Sequence, residues 1–260
     1  MQRILAQLSY DGAGFHGYQR QVTSRTVQEE FEKGLAKLHK AEHWPSLSSG
    51  RTDTGVHGVR HPVQFDTPLS IPKERWPMAL STCIPRDMQV LDVSFVDSDF
   101  HARHDAIGKE YCYRLYTSAA RDVFRRNYAM HLRDQLDWQA MQTAARYFEG
   151  THDFSSVSSP KTYVENKVRT IYRIEITTDG CDWEFRFVGS GFLYQMVRVL
   201  VGTLLKVGRG EWRAEYIPEL LAKKDRTEAG ITVPGNGLYL MNVFYHEDDL
   251  NRCLRGLKNT

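Results

Sequence analysis

A chain of 260 residues that is 41% apolar and 12% aromatic can bury a substantial core, and its 25% charged fraction excludes a disordered or collagen-like polypeptide. The net charge of +2 gives no global signal for a polyanionic partner, yet 23 of the 34 basic residues are Arg, whose planar fork matches phosphate oxygens. The basic side chains concentrate between His101 and Arg133, where Arg103, Lys109, Arg114, Arg121, Arg125, Arg126 and Arg133 outnumber Asp105, Glu110 and Asp122. That pattern suits a solvated basic face or an RNA backbone equally well.

The N-terminal strand is predicted from Ile4, Ala6, Leu8 and Tyr10, which alternate with polar residues before Asp11-Gly12 breaks the run. Thr26-Val27-Gln28-Glu29 has the form of a capping box, and Val27, Phe31, Leu35 and Leu38 follow at helical spacing. Further strands are expected over Val59–Phe65 and Met88–Val96, with a helical stretch near Lys73–Leu80 between them. Tyr111, Tyr113 and Leu115 mark another strand. A helix follows from an Asp137 cap to Phe148, with Gly150 as its stop. Tyr172–Ile176 and Trp183–Phe187 flank Asp179-Gly180 as a hairpin. Tyr194–Val207 reads as a buried apolar helix, Glu215–Lys223 as a shorter one and Leu238–Tyr245 as a last strand. Each half therefore offers strands interleaved with two helices. The fold class expected is α+β, a mixed and mainly antiparallel sheet with helices packed on it. The halves expected are 1–100 and 101–260.

Cys83, Cys112, Cys181 and Cys253 form no C-x-x-C pair, so neither zinc nor a disulfide framework is suggested. The N-terminus is too polar for a signal peptide and no apolar run reaches membrane length, which leads us to expect a cytoplasmic protein with no membrane association.

Three segments can carry chemistry. Ser49–Gly58 packs three glycines and several hydroxyl residues around Arg51 and Asp53, a density of constrained positions typical of a functional loop on a rigid scaffold; a plain Asx turn is the bland alternative. Phe100-His101-Ala102-Arg103-His104 leads into the strand bearing Tyr111, a position more often core than active site. Gly189–Gly202 places Arg198 within an apolar helix, where a guanidinium needs an anion, a carboxylate or a phosphate, unless it reaches the surface. Asp53 is an attractive partner for it. An ionised Asp is a competent nucleophile at a sugar or pyrimidine carbon, a neighbouring Arg keeps it ionised, and an aromatic ring can stack on an extruded base. Two rival readings use the same residues. One is a metal-dependent RNA hydrolase built on His57, His61, His101 and His104, although no acidic ligand spacing and no H-E-x-x-H accompanies them; the other is a non-catalytic RNA-binding module.

Gly50-Arg51-Thr52-Asp53-Thr54-Gly55-Val56-His57 resembles the G-R-T-D-x-G-V-H signature of the TruA family of tRNA pseudouridine synthases. The similarity continues at Phe15–Gln19, Phe100–Arg103, Phe148–Phe154, Gly191–Arg198 and Pro234–Leu240. It implies Asp53 as the catalytic nucleophile, Tyr111 as a base-contacting ring and Arg198 as the partner of the Asp, with Arg51, His57 and Arg103 as further substrate contacts. It implies an isomerase that converts uridine to pseudouridine at positions 38, 39 and 40 of the tRNA anticodon stem-loop, without a metal or small-molecule cofactor. It also implies a homodimer and an active cleft between two ferredoxin-like halves. The chain departs from the family pattern at Thr54 and Val233, where Ala is usual, and at Val59-Arg60-His61-Pro62-Val63, where small and Gln residues are usual. Pro62 lacks an amide donor and is expected at a sheet edge or bulge.

Overall fold

The computed structural model describes residues 1–162 and 164–257. Contacts divide the chain into two units, Met1–Ala106 with Tyr239–Val243, and Ile107–Leu238 with Phe244–Thr260.

In the first unit the order is β1 (Gln2–Tyr10), α1 (Val27–His39), β2 (Leu47–Ser48), β3 (His57–Thr67), α2 (Trp76–Ser81) and β4 (Met88–Val96). The expected elements are present within a few residues, and β4 has the expected limits. β1 lies between β4 and β3, antiparallel to both, and β2 pairs antiparallel with β3. The spatial order β4-β1-β3-β2 in a β-α-β-β-α-β chain is that of a ferredoxin-like sheet. Alternation in β1 and β3 sends Ile4, Ala6, Leu8, Val63 and Phe65 into a core closed by Val27, Phe31 and Leu35 of α1 and by Trp76 and Leu80 of α2. The Thr26 hydroxyl caps α1 by accepting from the Glu29 amide at 3.4 Å, while the Glu29 carboxylate meets Lys33 one turn on, at 2.9 Å.

The second unit holds β5 (Gly108–Thr117), β6 (Met130–Leu132), α3 (Trp138–Phe148), β7 (Gly150–Asp153), β8 (Val168–Thr178), β9 (Asp182–Gly189), α4 (Met196–Gly208) and α5 (Tyr216–Lys223). The chain then enters β10 (Leu238–Phe244) and ends in α6 (Glu247–Gly256). β9 pairs antiparallel with both β5 and β8, so β5-α3-β8-β9-α4 repeats the β-α-β-β-α order of the first unit with the same arrangement of first, third and second strands. Asp137 caps α3 by accepting from the Ala140 amide at 2.9 Å. The β8–β9 hairpin turns through three residues, 179–181, with the Asp179 carboxylate accepting from the amides of Cys181 and Asp182 and Gly180 at φ 101°. α6 was not expected. Its Leu250 and Cys253 cover Val188 and Phe244, on a short helix whose acidic first turn suits the positive end of the helix dipole.

Three other expectations change. The segment 101–106 stays with the first unit, because the Ala102 amide donates to the Gln64 side chain and Arg3 Nη1 donates to the Phe100 carbonyl at 2.9 Å. The halves expected at 1–100 and 101–260 thus differ from the observed units, and Tyr239–Val243 returns to the first. α4 begins at Met196, not Tyr194, because Gln195 sits in the left-handed region at φ 60°. Pro62 lies inside β3, opposite Gln7 of β1, rather than at an edge or bulge. Its carbonyl accepts from the Ser49 amide at 3.0 Å, so its missing N–H faces the side where β2 covers β3 for only two residues. Among the described residues no helix is long and apolar enough to cross a membrane.

Candidate active site

The loop 49–56 joins β2 to β3 and carries Asp53. Its main chain is tied at successive points. The Thr52 carbonyl accepts from the Tyr18 amide at 3.0 Å, the Asp53 carbonyl accepts from the Val56 amide at 3.1 Å, and the Gly55 amide donates to the Phe15 carbonyl at 3.4 Å. The Asp53–Val56 bond closes a tight turn whose third residue, Gly55, has φ 77°, a conformation costly for any side chain but glycine's. Gly17, at φ 88°, lets the 15–18 segment press onto the loop; a methyl there would lie 2.9 Å from the Thr52 carbonyl oxygen. The result is a rigid frame from which Asp53 emerges half-buried between an exposed Arg51 and an exposed Thr54.

Behind the loop, Thr52 is buried and its hydroxyl lies 2.8 Å from the Tyr10 hydroxyl, which is itself 2.9 Å from Nδ1 of the fully buried His61. His57, expected as a substrate contact, is buried. Its Nδ1 accepts from the Gly12 amide at 3.0 Å, and its ring stacks on Tyr239 with centroids 4.6 Å apart. Arg103 is exposed, next to His101, whose Nδ1 accepts the amides of Arg103 and His104 at 3.2 Å each. The imidazoles of His57, His61 and His101 are therefore engaged by the protein itself. Among the described residues no group of three or more His, Cys, Asp or Glu is placed to hold a metal ion.

In the second unit Tyr111 stands on β5 opposite Phe187 of β9 and is half-buried, with the ring of Phe192 edge-on at 5.3 Å. Arg198 lies in the first turn of α4, half-buried while nearly all of the helix around it is buried. Its Nε donates to the Val233 carbonyl at 2.7 Å and its own carbonyl accepts from the Val233 amide at 3.4 Å. This clasp depends on two glycines. Gly202 and Gly230 let the strap of residues 230–234 lie directly on α4, where a methyl on Gly202 would fall 2.0 Å from the Ile231 carbonyl oxygen. The Gly230 amide donates to the Thr203 hydroxyl at 3.1 Å, and the Tyr113 hydroxyl holds the far end of the strap at the Pro234 carbonyl, at 2.9 Å. Burial pushes the Tyr113 hydroxyl pKa up, so it stays a proton donor.

Residues 144–246 match the family model described as tRNA pseudouridine synthase. The chain is 50% identical over 244 residues to tRNA pseudouridine synthase A of Bacillus subtilis, covering 94% of this chain and 99% of that one. It is 50% identical over 253 residues to the enzyme of the same name from Geobacillus kaustophilus, covering 97% and 98%. This chain belongs to the tRNA pseudouridine synthase A family. Among solved structures, a Cbf5-Nop10-Gar1 complex aligns with a TM-score of 0.38 at 13% identity, covering 94% of this chain and 60% of that one, a likeness too weak to bear on the assignment.

Against that family membership, the residues singled out from the sequence fall in both units. Arg51, Asp53, His57 and Arg103 belong to the first; Tyr111 and Arg198 belong to the second. Sequence reasoning missed Tyr10, Thr52 and His61 as a group, as well as the strap 230–234 that holds Arg198. The one signal available for the strap was the pair of glycines at 202 and 230, small residues where two backbones approach.

Proposed function

We propose that the chain isomerises uridine to pseudouridine in tRNA, at positions 38, 39 and 40 of the anticodon stem-loop, with Asp53 as the nucleophile. The observation that carries this reading is the frame around residue 53: a half-buried carboxylate on a loop whose neighbouring carbonyls and amides are tied to a rigid scaffold, within the Gly50–His57 segment that resembles the family's G-R-T-D-x-G-V-H signature. The exposed guanidiniums of Arg51 and Arg103 take RNA phosphates, and shape rather than paired sequence guides docking. The target uridine leaves the stack, at a cost of a few kcal/mol. Asp53 breaks the bond between N1 and C1′, by attack at C1′ or by taking a sugar proton. The freed uracil turns and rejoins C1′ through C5, displacing the Asp53 carboxylate from C1′ or, on the proton route, with return of the proton to the sugar; C5 then loses its proton to solvent and N1 gains one, so the atoms balance without a redox partner. Tyr111 stacks on the base. Arg198 acts as the cation of the reaction, and the buried His57 holds the Gly12 amide instead of touching RNA. The active species is a homodimer, which light scattering of the purified chain tests.

Transfer RNA tritiated at uracil C5 tests the activity directly. The natural chain releases tritium to water. Asp53→Asn keeps the melting curve and loses release by at least about 10³-fold. Release undiminished in Asp53→Asn would remove Asp53 from the chemistry, and no release by the natural chain would remove the activity.

A further inference from the structure

The hydroxyls behind the Asp53 loop form a polar group where an apolar one would cost less. Tyr10, Thr52 and His61 are 4%, 8% and 0% exposed, and they come from β1, the loop and β3. The Tyr10 hydroxyl stands 2.8 Å from Thr52 Oγ1 and 2.9 Å from His61 Nδ1. A phenol has one proton and two lone pairs, so it serves both partners at once. Burying three such groups is unfavourable unless each is satisfied, which makes the set sensitive to the loss of any one member.

The fold makes an exception to place this phenol. The pairing of β1 with β3 shifts register between Leu8 and Tyr10, an irregularity that re-aims a side chain. Gly58, opposite Tyr10, has no methyl that could obstruct the ring; a Cβ there would lie 2.3 Å from it. The Tyr18 ring packs against His61 with centroids 4.7 Å apart, and the Tyr18 amide holds the Thr52 carbonyl. Thr52 is thereby gripped at its hydroxyl and at its carbonyl, one residue before Asp53.

We infer that Tyr10 is a positioning residue for Asp53: its hydroxyl, braced by His61, locks Thr52 and with it the direction in which the Asp53 carboxylate leaves the loop. The inference rests on the pseudouridine synthase reading above. Misplacing a reacting group by about 1 Å costs on the order of 10²-fold in rate, so removal of one hydroxyl that is remote from the substrate shows in kcat.

The test compares Tyr10→Phe, Thr52→Val, the double variant and Thr52→Ser by tritium release at saturating tRNA, together with tRNA Kd and Tm. Tyr10→Phe and Thr52→Val each lower kcat about 10- to 100-fold and leave Kd unchanged. The double variant is no slower than the slower single variant, because both break one link. Thr52→Ser, which keeps the hydroxyl, restores kcat. A purely structural role would lower Tm and leave kcat of the folded protein untouched. A kcat for Tyr10→Phe within about twofold of the natural chain, a loss confined to Kd, or losses that multiply in the double variant would each overturn the inference. If Tyr10→Phe does not fold, the contrast between Thr52→Val and Thr52→Ser decides. Absence of tritium release by the natural chain is a different outcome and counts against the activity, not against the hydroxyl link.

Discussion

The two units run through the same β-α-β-β-α order yet lay different polar groups across their strands. In the first, two hydroxyls and an imidazole meet beneath the Asp53 loop, while Arg20 holds the buried Glu32 of α1 at 2.6 Å. In the second, the strands themselves carry charge. Cys112, Arg186 and Glu175 form a cross-strand row on β5, β9 and β8; Arg186 Nε donates to Glu110 at 3.0 Å, and its Nη1 lies 3.5 Å from Glu175. Glu110 and Glu175 are 2% and 4% exposed. Burial tends to lower the Arg186 pKa, but Glu110 and Glu175 raise it further, so the guanidinium stays charged. Burial likewise pushes the thiols of Cys112 and Cys253 up to about 12, keeping both protonated. The charged set lies among the strands that α6 covers, and Arg198 is held by something different again, an apolar helix and a glycine-seated strap. The contrast teaches that a side chain can be aimed by hydrogen bonds or by close packing, and that the two devices fail differently.

The sharpest break in that comparison is Arg186→Met. It takes the Arg186 guanidinium from two buried carboxylates and should cost about 3 kcal/mol or more of folding free energy, against roughly 1–2 kcal/mol for the neutral change Tyr10→Phe. Denaturant melts of the two variants measure the gap, and equal losses would dissolve the distinction. Next in size is Gly202→Ala. The new methyl meets the Ile231 carbonyl, so the strap moves off α4 at a cost of about 1–3 kcal/mol. Because the Val233 carbonyl leaves Arg198 Nε, kcat falls as well, whereas Gly210→Ala, where no atom lies within 4 Å, perturbs only the local positive φ. A stable Gly202→Ala with natural kcat would show that the clasp does not matter.

The smallest effect belongs to the surface. Lys224, aided by Ser155, lowers the Asp153 pKa from 3.8 to about 2. A carboxylate depressed in the folded state adds stability above its unfolded pKa and loses it as pH falls through the folded value, so this contribution fades between about pH 4 and pH 2. Lys224→Met should remove most of it. As the lysine is largely exposed, the change is about 1 kcal/mol or less at neutral pH and vanishes below pH 2. Urea melts at pH 7 and pH 2 read it.

Much of the fold is legible in the sequence. Alternation in Ile4–Tyr10, helical spacing in Val27–Leu38 and the caps at Thr26 and Asp137 are local signals, and each element formed where those signals stood. The Asp53 loop was legible as well, since glycines at 50, 55 and 58 mark constrained backbone. α6 was missed because its apolar residues are few and its first turn is acidic, which in isolation reads as a polar tail. Pro62 was misplaced because which face of a strand lies open depends on how far its neighbour extends, and β2 is two residues long.

Short-range chemistry therefore marked most of the elements, their caps and the constrained loop that carries Asp53, because backbone preference and hydrophobic period act over a few neighbouring residues. Folding in three dimensions alone settled how those parts are aimed. Tyr10 meets Thr52 and His61 across 42 and 51 residues, and Arg198 meets Val233 across 35. Hydrogen bonds between groups so distant in the chain leave no periodic trace; they exist only once the strands, the loop and the strap have been packed.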